Sequence, residues 1–195
     1  MIFHTKTKHM SSIFFAALSF LFISQSSFAT NDPTLKELKS SLNLVGSHRF
    51  VYAMFFKLYD VRLYTDTNPK TSTEELLNGE NALLLEFDYL RTIKKSIILE
   101  SSEKILSNNM SLDELSSIQE RVDKINAEYR TVDEGERSAL SYVPGEGTTL
   151  WINGKKKITI EEKDFAGLYF RIWLGEKPIS EKMRDALLQR IVAKD

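Results

Sequence analysis

The sequence lacks cysteine altogether and lacks the short motifs that mark several large enzyme classes. Without cysteine the chain cannot form disulfide bonds, so its hydrophobic core must stabilise the fold alone. It contains no G-x-S-x-G, no P-loop motif and no G-x-G-x-x-G. These absences remove the sequence support for a serine hydrolase, a P-loop nucleotide-binding protein and a dinucleotide-dependent enzyme.

Long apolar runs are missing after the first 29 residues. Within those residues, two lysines precede an apolar run over residues 13–23, and Ser27-Phe28-Ala29 has the small-x-small pattern of a cleavage site. The pattern predicts a secretory signal peptide over residues 1–29, because the run is too short to span a membrane. An uncleaved N-terminal anchor is the alternative. No cysteine follows the cleavage point, which excludes a lipoprotein.

The remaining chain, residues 30–195, suits one domain with a sizeable core. We expect it to be periplasmic or secreted, with no stable membrane span once the signal peptide is removed. Without the two leader lysines, 24 cationic residues face 27 acidic residues, so the formal net charge is −3. A mildly acidic chain without a basic block gives no electrostatic reason to expect nucleic-acid binding. The oligomeric state does not follow from the sequence.

Histidine is almost absent from this part of the chain. His4 and His9 lie in the predicted signal peptide, which leaves His48 alone. A site with paired His or Cys ligands is therefore excluded, and no calcium-loop spacing is present. We expect no metal and no cofactor. Haem ligation by His48 is the remaining alternative, although a lone histidine at a strand edge is usually not a ligand.

Turn residues divide the C-terminal part of the chain into three predicted strands. Pro144-Gly-Glu-Gly147 separates Ala139–Val143 from Thr148–Ile152, and Asn153-Gly154 separates that strand from Lys155–Ile160. Asn-Gly between two β-prone runs is the strongest short-range hairpin signal, because both central residues of a type I′ turn need positive φ.

An apolar helix is predicted after this hairpin. Asp164 is expected to cap it, and Gly175 to end it in the left-handed conformation. Apolar side chains, including Phe170 and Trp173, cover nearly the whole circumference of the segment. A helix of this kind is buried on most sides, so we expect it to press on a sheet and to line any cavity there.

The rest of the chain shows strands and helices in separate groups. Two strands are expected at about 49–55 and 57–65, either as a hairpin or as one long bent strand, and a third at 82–90. Helices are expected at 92–106 and from Ser111 to about 129. Because strand and helix runs are segregated rather than alternating, we predict an α+β fold with a mainly antiparallel sheet.

Four segments resemble a known family. Val45-Gly-x-x-Arg49 followed by Lys57-Leu-Tyr-Asp-Val-x-Leu-Tyr64 is similar to the opening strands of the chalcone isomerase fold. Pro144-Gly-x-Gly-Thr-x-Leu-x-x-Asn-Gly154 and Phe170-x-Ile-Trp-Leu-Gly-x-x-Pro-x-Ser180 resemble the exported bacterial branch, the chalcone isomerase-like proteins. The resemblance implies an open-faced β-sandwich: a large antiparallel sheet with a layer of helices on one face, and a ligand cleft between the two.

The same resemblance implies a role for Arg49. The arginine of the plant enzymes at this position binds the substrate oxyanion, and in fatty-acid-binding relatives it holds the carboxylate. An arginine that enters an apolar strand and points inward needs an anion, since a buried unpaired charge is very costly. The alternatives are an ion pair within the protein or a guanidinium that reaches solvent.

Other parts of the enzyme site do not carry over. A catalytic threonine of the enzymes falls at Tyr59, and the expected tyrosine–asparagine pair is missing from residues 92–103. We therefore predict no catalytic residues and doubt chalcone isomerase activity. The candidate ligand-binding residues are Arg49, Tyr59, Arg91, Phe170 and Trp173, although a buried Tyr or Trp is more often plain core.

We therefore expect a protein that binds a small hydrophobic anion, such as a fatty acid. Arg49 would bind the carboxylate, with Tyr59 assisting. One alternative is an isomerase or intramolecular lyase acting on an unknown substrate, in which the same arginine stabilises an enolate or phenolate. Another is a structural protein whose cleft is filled by its own side chains.

Overall fold

A computed structural model describes residues 34–67 and 71–191 of the chain, together with Met1. The predicted signal peptide therefore lies outside the described residues except for Met1. The strands are β1 (Asn43–Tyr52), β2 (Phe56–Thr65), β3 (Leu83–Tyr89), β4 (Arg137–Val143), β5 (Gly147–Ile152) and β6 (Lys155–Ile160). The helices are α1 (Leu35–Ser41), α2 (Thr73–Leu76), α3 (Lys95–Asn109), α4 (Leu112–Glu128), α5 (Lys163–Tyr169), α6 (Arg171–Leu174) and α7 (Glu181–Leu187).

All six strands form one sheet in which each strand pairs antiparallel with the next strand of the sequence. The predicted α+β class with an antiparallel sheet is confirmed. The β5–β6 turn at Asn153 and Gly154 has φ values of 50° and 74°, as the Asn-Gly signal predicts. The capping box predicted at Ser111 is also present, since its side chain accepts a hydrogen bond from the Glu114 backbone N–H.

The two faces of the sheet differ in character, as strand β2 shows. Tyr59, Val61 and Leu63 are buried and belong to the main core beneath the helices. Asp60 and Arg62 alternate with them and are only half-buried. Because successive side chains on a strand point to opposite faces, we call the face of Tyr59 the helix face and the face of Asp60 the open face.

The apolar segment predicted as a central helix does lie at the centre of the core. It consists of α5 and α6, which meet at Phe170. The side chains of Phe165, Tyr169 and Phe170 have no solvent exposure. None of the helices in the described part of the chain is long and apolar enough to cross a membrane.

The predicted ends of this helical segment were wrong in two details. Asp164 is not the cap, since α5 begins after Glu162 without a side-chain cap, and Asp164 instead pairs with Arg121 at 2.7 Å. Gly175 has φ −73°, outside the left-handed region. A Cβ at Gly175 would lie 2.7 Å from both the Arg171 carbonyl oxygen and Asn109 Oδ1, so close packing explains this glycine.

The open face carries a small apolar cluster and a set of ion pairs. Tyr64, Leu84, Ala139 and Trp151 form the cluster, against which the partly buried Leu35 and Leu42 pack. Beside it, the nearly buried Glu86 carboxylate lies 2.6 Å from Lys39 Nζ and 3.1 Å from an Arg62 nitrogen. Asp88 pairs with Arg62 and with Arg137. A carboxylate that is nine-tenths buried requires such cationic partners.

Helix α7 packs against strand β1 at Gly46. A Cβ at this position would lie 2.1 Å from the Leu187 carbonyl oxygen and 2.4 Å from that of Ala186. Both neighbours are backbone atoms, so a side chain could be accommodated only by moving the helix.

We therefore expect Gly46→Ala to lower the free energy of unfolding by about 1–3 kcal/mol, the usual cost of overpacking. Urea denaturation would measure the change. Ser47→Ala, at the exposed neighbouring position, is the control and should stay within about 0.5 kcal/mol of the wild type. Equal midpoints for the two variants would show that α7 does not pack tightly on β1.

Candidate functional site

Arg49 lies on the open face of the sheet, on the side opposite the main core. Its Nε and one terminal nitrogen each donate to the Asp60 carboxylate at 2.7 Å. Half of the side chain is exposed to solvent. The guanidinium holds the pKa of Asp60 below its usual range. The expectation that Arg49 points inward toward an anion is therefore not met, because an intramolecular carboxylate already pairs with it.

Tyr59 lies on the opposite face from Arg49 and is almost completely buried. Its ring contacts Phe50, Phe87 and Tyr89 at centroid distances of 5.2, 5.4 and 6.1 Å. The structure does not bring Arg49 and Tyr59 together, since the sheet separates the two side chains. A shared role in holding one ligand head group is not compatible with this geometry.

Five buried tyrosines belong to the main core between the sheet and the helices. Four of them form what we call the tyrosine cluster: Tyr59, Tyr89, Tyr129 and Tyr169. The Tyr89 hydroxyl is 2.9 Å from that of Ser138. The Tyr169 hydroxyl is buried and has no hydrogen-bond partner of good geometry, although Tyr129 is near enough to influence its pKa.

Burial sets the protonation of this cluster. It raises the pKa of Tyr89 to about 12 and raises that of Tyr169 further above the ordinary value. Burial and the neighbouring tyrosines also raise the pKa of Tyr59 and Tyr129. All four phenols therefore stay protonated at neutral pH, where they can donate hydrogen bonds but cannot serve as bases.

The other sequence-predicted site residues fall in different places. Phe170 and Trp173 are buried in the core, and Trp173 contacts Phe87 and Tyr169 at centroid distances of 5.4 and 6.2 Å. Arg91 is exposed and its guanidinium lies 5.1 Å from the centre of the Phe56 ring. The five predicted residues therefore do not form a single site.

His48 is half-buried on β1. Burial and the nearby Lys182 lower its pKa, so it is neutral at physiological pH. Among the described residues, no cluster of three or more His, Cys, Asp or Glu side chains could hold a metal ion.

A cleft of about 1260 Å³ lies on the outer side of the helical layer, and we call it the helix cleft. It is bounded by α2, the junction of α3 and α4, α5, α6 and residues 175–177. Leu77, Met110 and Leu168 supply apolar surface that packs against the main core. The other lining residues are polar, charged or glycine: Thr73, Glu74, Asn78, Asn108, Asn109, Lys163, Asp164, Gly167, Arg171, Gly175, Glu176 and Lys177. Its volume exceeds the ~300–1,000 Å³ of ordinary ligand pockets.

Arg171 is held less firmly by its own chain than Lys163, the other cation of the helix cleft that forms an ion pair. Its Nη1 lies 3.3 Å from the Asn109 carbonyl oxygen and 3.4 Å from Glu114 Oε1, at the outer limit of hydrogen bonding. Lys163, by contrast, pairs closely with Glu80. About a third of the Arg171 side chain is exposed, so its guanidinium can accept a better partner.

Sequence reasoning missed Arg171, although a signal was present. It is the one charged residue between Phe165 and Leu174, in a segment that is otherwise apolar or glycine. An arginine among apolar neighbours needs an anionic partner, as was argued for Arg49. The same argument applies to Arg171. The apolar side chains beside it, Phe170 and Trp173, point to the core rather than into the cleft.

A second, smaller cleft of about 340 Å³ lies on the open face and includes Glu86 and Arg137. The carboxylate of Glu86 already has two cationic partners, so this cleft offers a weaker site for a charged ligand. Arg49 lines neither of the two clefts.

Comparison with known proteins agrees with the fold. A family model described as "Chalcone isomerase-like" matches residues 29–189. The crystal structure of a fatty-acid binding protein of Arabidopsis thaliana superposes with a TM-score of 0.60 at 12% sequence identity, and the match covers 76% of this chain and 87% of that one. At this identity the similarity concerns the fold alone. No curated protein matches the sequence significantly.

Two buried tyrosines provide a test of the hydrogen bonding in the core. The Tyr142 hydroxyl donates to the Gly79 carbonyl oxygen at 2.9 Å, whereas the Tyr169 hydroxyl has no such partner. We expect Tyr142→Phe to cost about 1–3 kcal/mol of stability, because a buried carbonyl is left unpaired, and Tyr169→Phe to be neutral or slightly stabilising. Thermal unfolding of both variants would check this, and an equal loss in both would mean that Tyr169 has a hydrogen-bond partner in solution.

Proposed function

Because the chain belongs to the chalcone isomerase-like family, we propose that it is a non-catalytic protein that binds an apolar carboxylic acid of the fatty-acid type. The ligand lies in the helix cleft. The observation that carries this proposal is the loosely held Arg171 guanidinium beside the apolar surface of Leu77, Met110 and Leu168. A planar guanidinium binds a carboxylate with two parallel hydrogen bonds.

The energetics of such a complex are favourable. Each methylene of an acyl chain that leaves water contributes about 0.8 kcal/mol. Ordering of the ligand and loss of its translational freedom oppose this gain by several kcal/mol. A chain of ordinary fatty-acid length therefore reaches micromolar affinity, which corresponds to about −8 kcal/mol.

The likeness to a plant protein whose name records fatty-acid binding supports this class of ligand. The interior of the chain supports the position of the site. Between sheet and helices, the rings of Tyr59 and Tyr89 and those of Tyr169 and Trp173 contact each other at centroid distances of 6.1 and 6.2 Å. This packing favours an inner layer filled by the protein's own side chains, and it directs the ligand to the helix cleft.

The titratable groups beside Arg49 and Tyr59 are poor general bases, which supports a binding role rather than an isomerase or lyase. Asp60, the carboxylate next to Arg49, is fixed in an ion pair that lowers its pKa. The four phenols of the tyrosine cluster have raised pKa values. Neither group can remove a proton efficiently at neutral pH.

Ligand binding to three variants would test the proposal. Displacement of a fluorescent fatty acid by palmitate should be roughly 10- to 100-fold weaker in Arg171→Ala, because a charge-assisted hydrogen bond contributes about 1.5–3 kcal/mol. Arg49→Ala and Tyr59→Phe are matched controls with an arginine and an aromatic outside the cleft, and should bind as the wild type does. A loss confined to either control would place the ligand elsewhere, and no palmitate affinity in any form would refute a fatty-acid ligand.

We further propose that the chain is exported, as the N-terminal pattern at residues 1–29 indicates, and that it belongs to the exported bacterial branch of the family. Expression of the full-length sequence in a Gram-negative host should yield a periplasmic protein. Its intact mass should correspond to a chain that begins at Thr30. A cytoplasmic protein that retains Met1 would contradict both statements. A membrane-bound protein of full mass would instead support the uncleaved anchor.

A further inference from the structure

The turn between β1 and β2 carries an unusual concentration of exposed apolar side chains, and we call residues 51–56 the hairpin tip. Five of the nine large hydrophobic residues that are exposed in the described part of the chain lie here. Met54 and Phe55 are 84% and 78% exposed, and Val51, Tyr52 and Phe56 are also exposed. Single exposed apolar residues are common, but a contiguous apolar patch marks an interaction surface.

The backbone conformation of the hairpin tip disfavours the residues that occupy it. Ala53 and Met54 have φ values of 47° and 64°, and the Phe55 N–H donates to the Tyr52 carbonyl oxygen at 3.3 Å. Both central residues thus occupy the left-handed region, which disfavours side chains other than those of Gly, Asn and Asp. The β5–β6 turn adopts the same conformation with Asn153 and Gly154. The same chain therefore uses ordinary polar turn residues at one hairpin and apolar ones at the other.

Positive charge borders the hairpin tip. Lys57 follows it directly and is exposed. The Arg91 guanidinium lies over the Phe56 ring, and the segment 91–95 that begins there contains three cations and no acid. Asp60, the nearest acid along β2, is already neutralised by Arg49. The local charge is therefore positive, although the chain after residue 29 is acidic overall.

We infer that the hairpin tip docks the protein onto the surface of a bilayer that contains anionic lipids. Met54 and Phe55 enter the boundary between headgroups and acyl chains, Tyr52 lies at the headgroup level, and Lys57 and Arg91 face the lipid phosphates. Apolar insertion combined with basic residues is the pattern of interfacial membrane binding. The charge complementarity favours such a surface over a second copy of this chain, which would bring like charges together. Docking here does not require a ligand in the helix cleft.

Vesicle sedimentation would test this inference on the protein as isolated from the exporting cell, with its N-terminus established by mass. Vesicles of equal parts phosphatidylcholine and phosphatidylglycerol should bind the wild type about tenfold or more tightly than phosphatidylcholine alone, and added salt should weaken the binding. The double variant Met54→Asn/Phe55→Ser should lose about tenfold or more of this binding. Asn suits the left-handed backbone, so the turn should still form.

Leu112→Ser is the matched control, since Leu112 is 85% exposed at the start of α4, away from the hairpin. It should bind vesicles as the wild type does. Because Trp151 and Trp173 are both buried, Phe55→Trp would report the tip directly, and its fluorescence should shift to the blue on addition of the anionic vesicles. Equal binding by the double variant and the wild type, or an unshifted spectrum, would overturn the inference.

Sedimentation velocity without lipid tests whether a second copy of the chain, rather than a membrane, covers this surface. A dimer that the double variant abolishes would show that the hairpin tip joins two copies of the chain, and the membrane inference would then be wrong. A monomer in both forms, together with vesicle binding by the wild type alone, is the expected result. Palmitate binding by the double variant should be measured in parallel. This measurement separates a loss of vesicle binding at the hairpin tip from a loss of ligand binding in the helix cleft.

Discussion

The alternation of side chains between the two faces of the sheet decides where each residue of this protein can act. On β1 and β2, Phe50 and Tyr59 are paired and their rings contact each other on the helix face. Arg49 and Asp60, one position away on each strand, are therefore opposite one another on the open face, where they form a bidentate ion pair. An inward-facing arginine at position 49 would require its neighbours to turn outward, with loss of aromatic burial. The apolar core thus determines the position of the charge, and the binding site has to be sought elsewhere.

Features that depend on neighbouring residues alone were predictable from the sequence. The Asn153-Gly154 turn, the capping box at Ser111 and the approximate limits of β2 to β6 follow from local conformational preferences. The prediction for β1 was wrong, since the strand expected at about 49–55 runs from Asn43 to Tyr52 and residues 53–55 form the turn. The antiparallel α+β architecture follows from the separation of strand and helix runs, and the family resemblance agrees with the matched region. The burial of Phe170 and Trp173 was also predictable from the sequence, because a helix that is apolar on all sides has to be covered by other parts of the protein.

The candidate site was less predictable because it depends on contacts that are distant in sequence. Strand β1 has register shifts between Leu44 and Gly46 and between Phe50 and Val51, and each irregularity of this kind changes which face the following residues occupy. Gly46 in the strand is compatible with a bulge but does not fix the register, so the direction of Arg49 could not be assigned from the sequence. Asp164 was expected at a helix cap but meets Arg121 from α4. Arg171 becomes a candidate only when α2 and the α3–α4 junction are placed around it.

The strands lie in the sheet in the same order as in the chain, so each can pair with its predecessor as soon as it becomes available. Helix α7 is different, because the last helix of the fold packs against the first strand at Gly46. Synthesis must therefore reach the C-terminal segment before β1 acquires its final neighbour. Until then, we expect a nascent chain to hold a nearly complete sheet whose first strand remains open to proteases and chaperones.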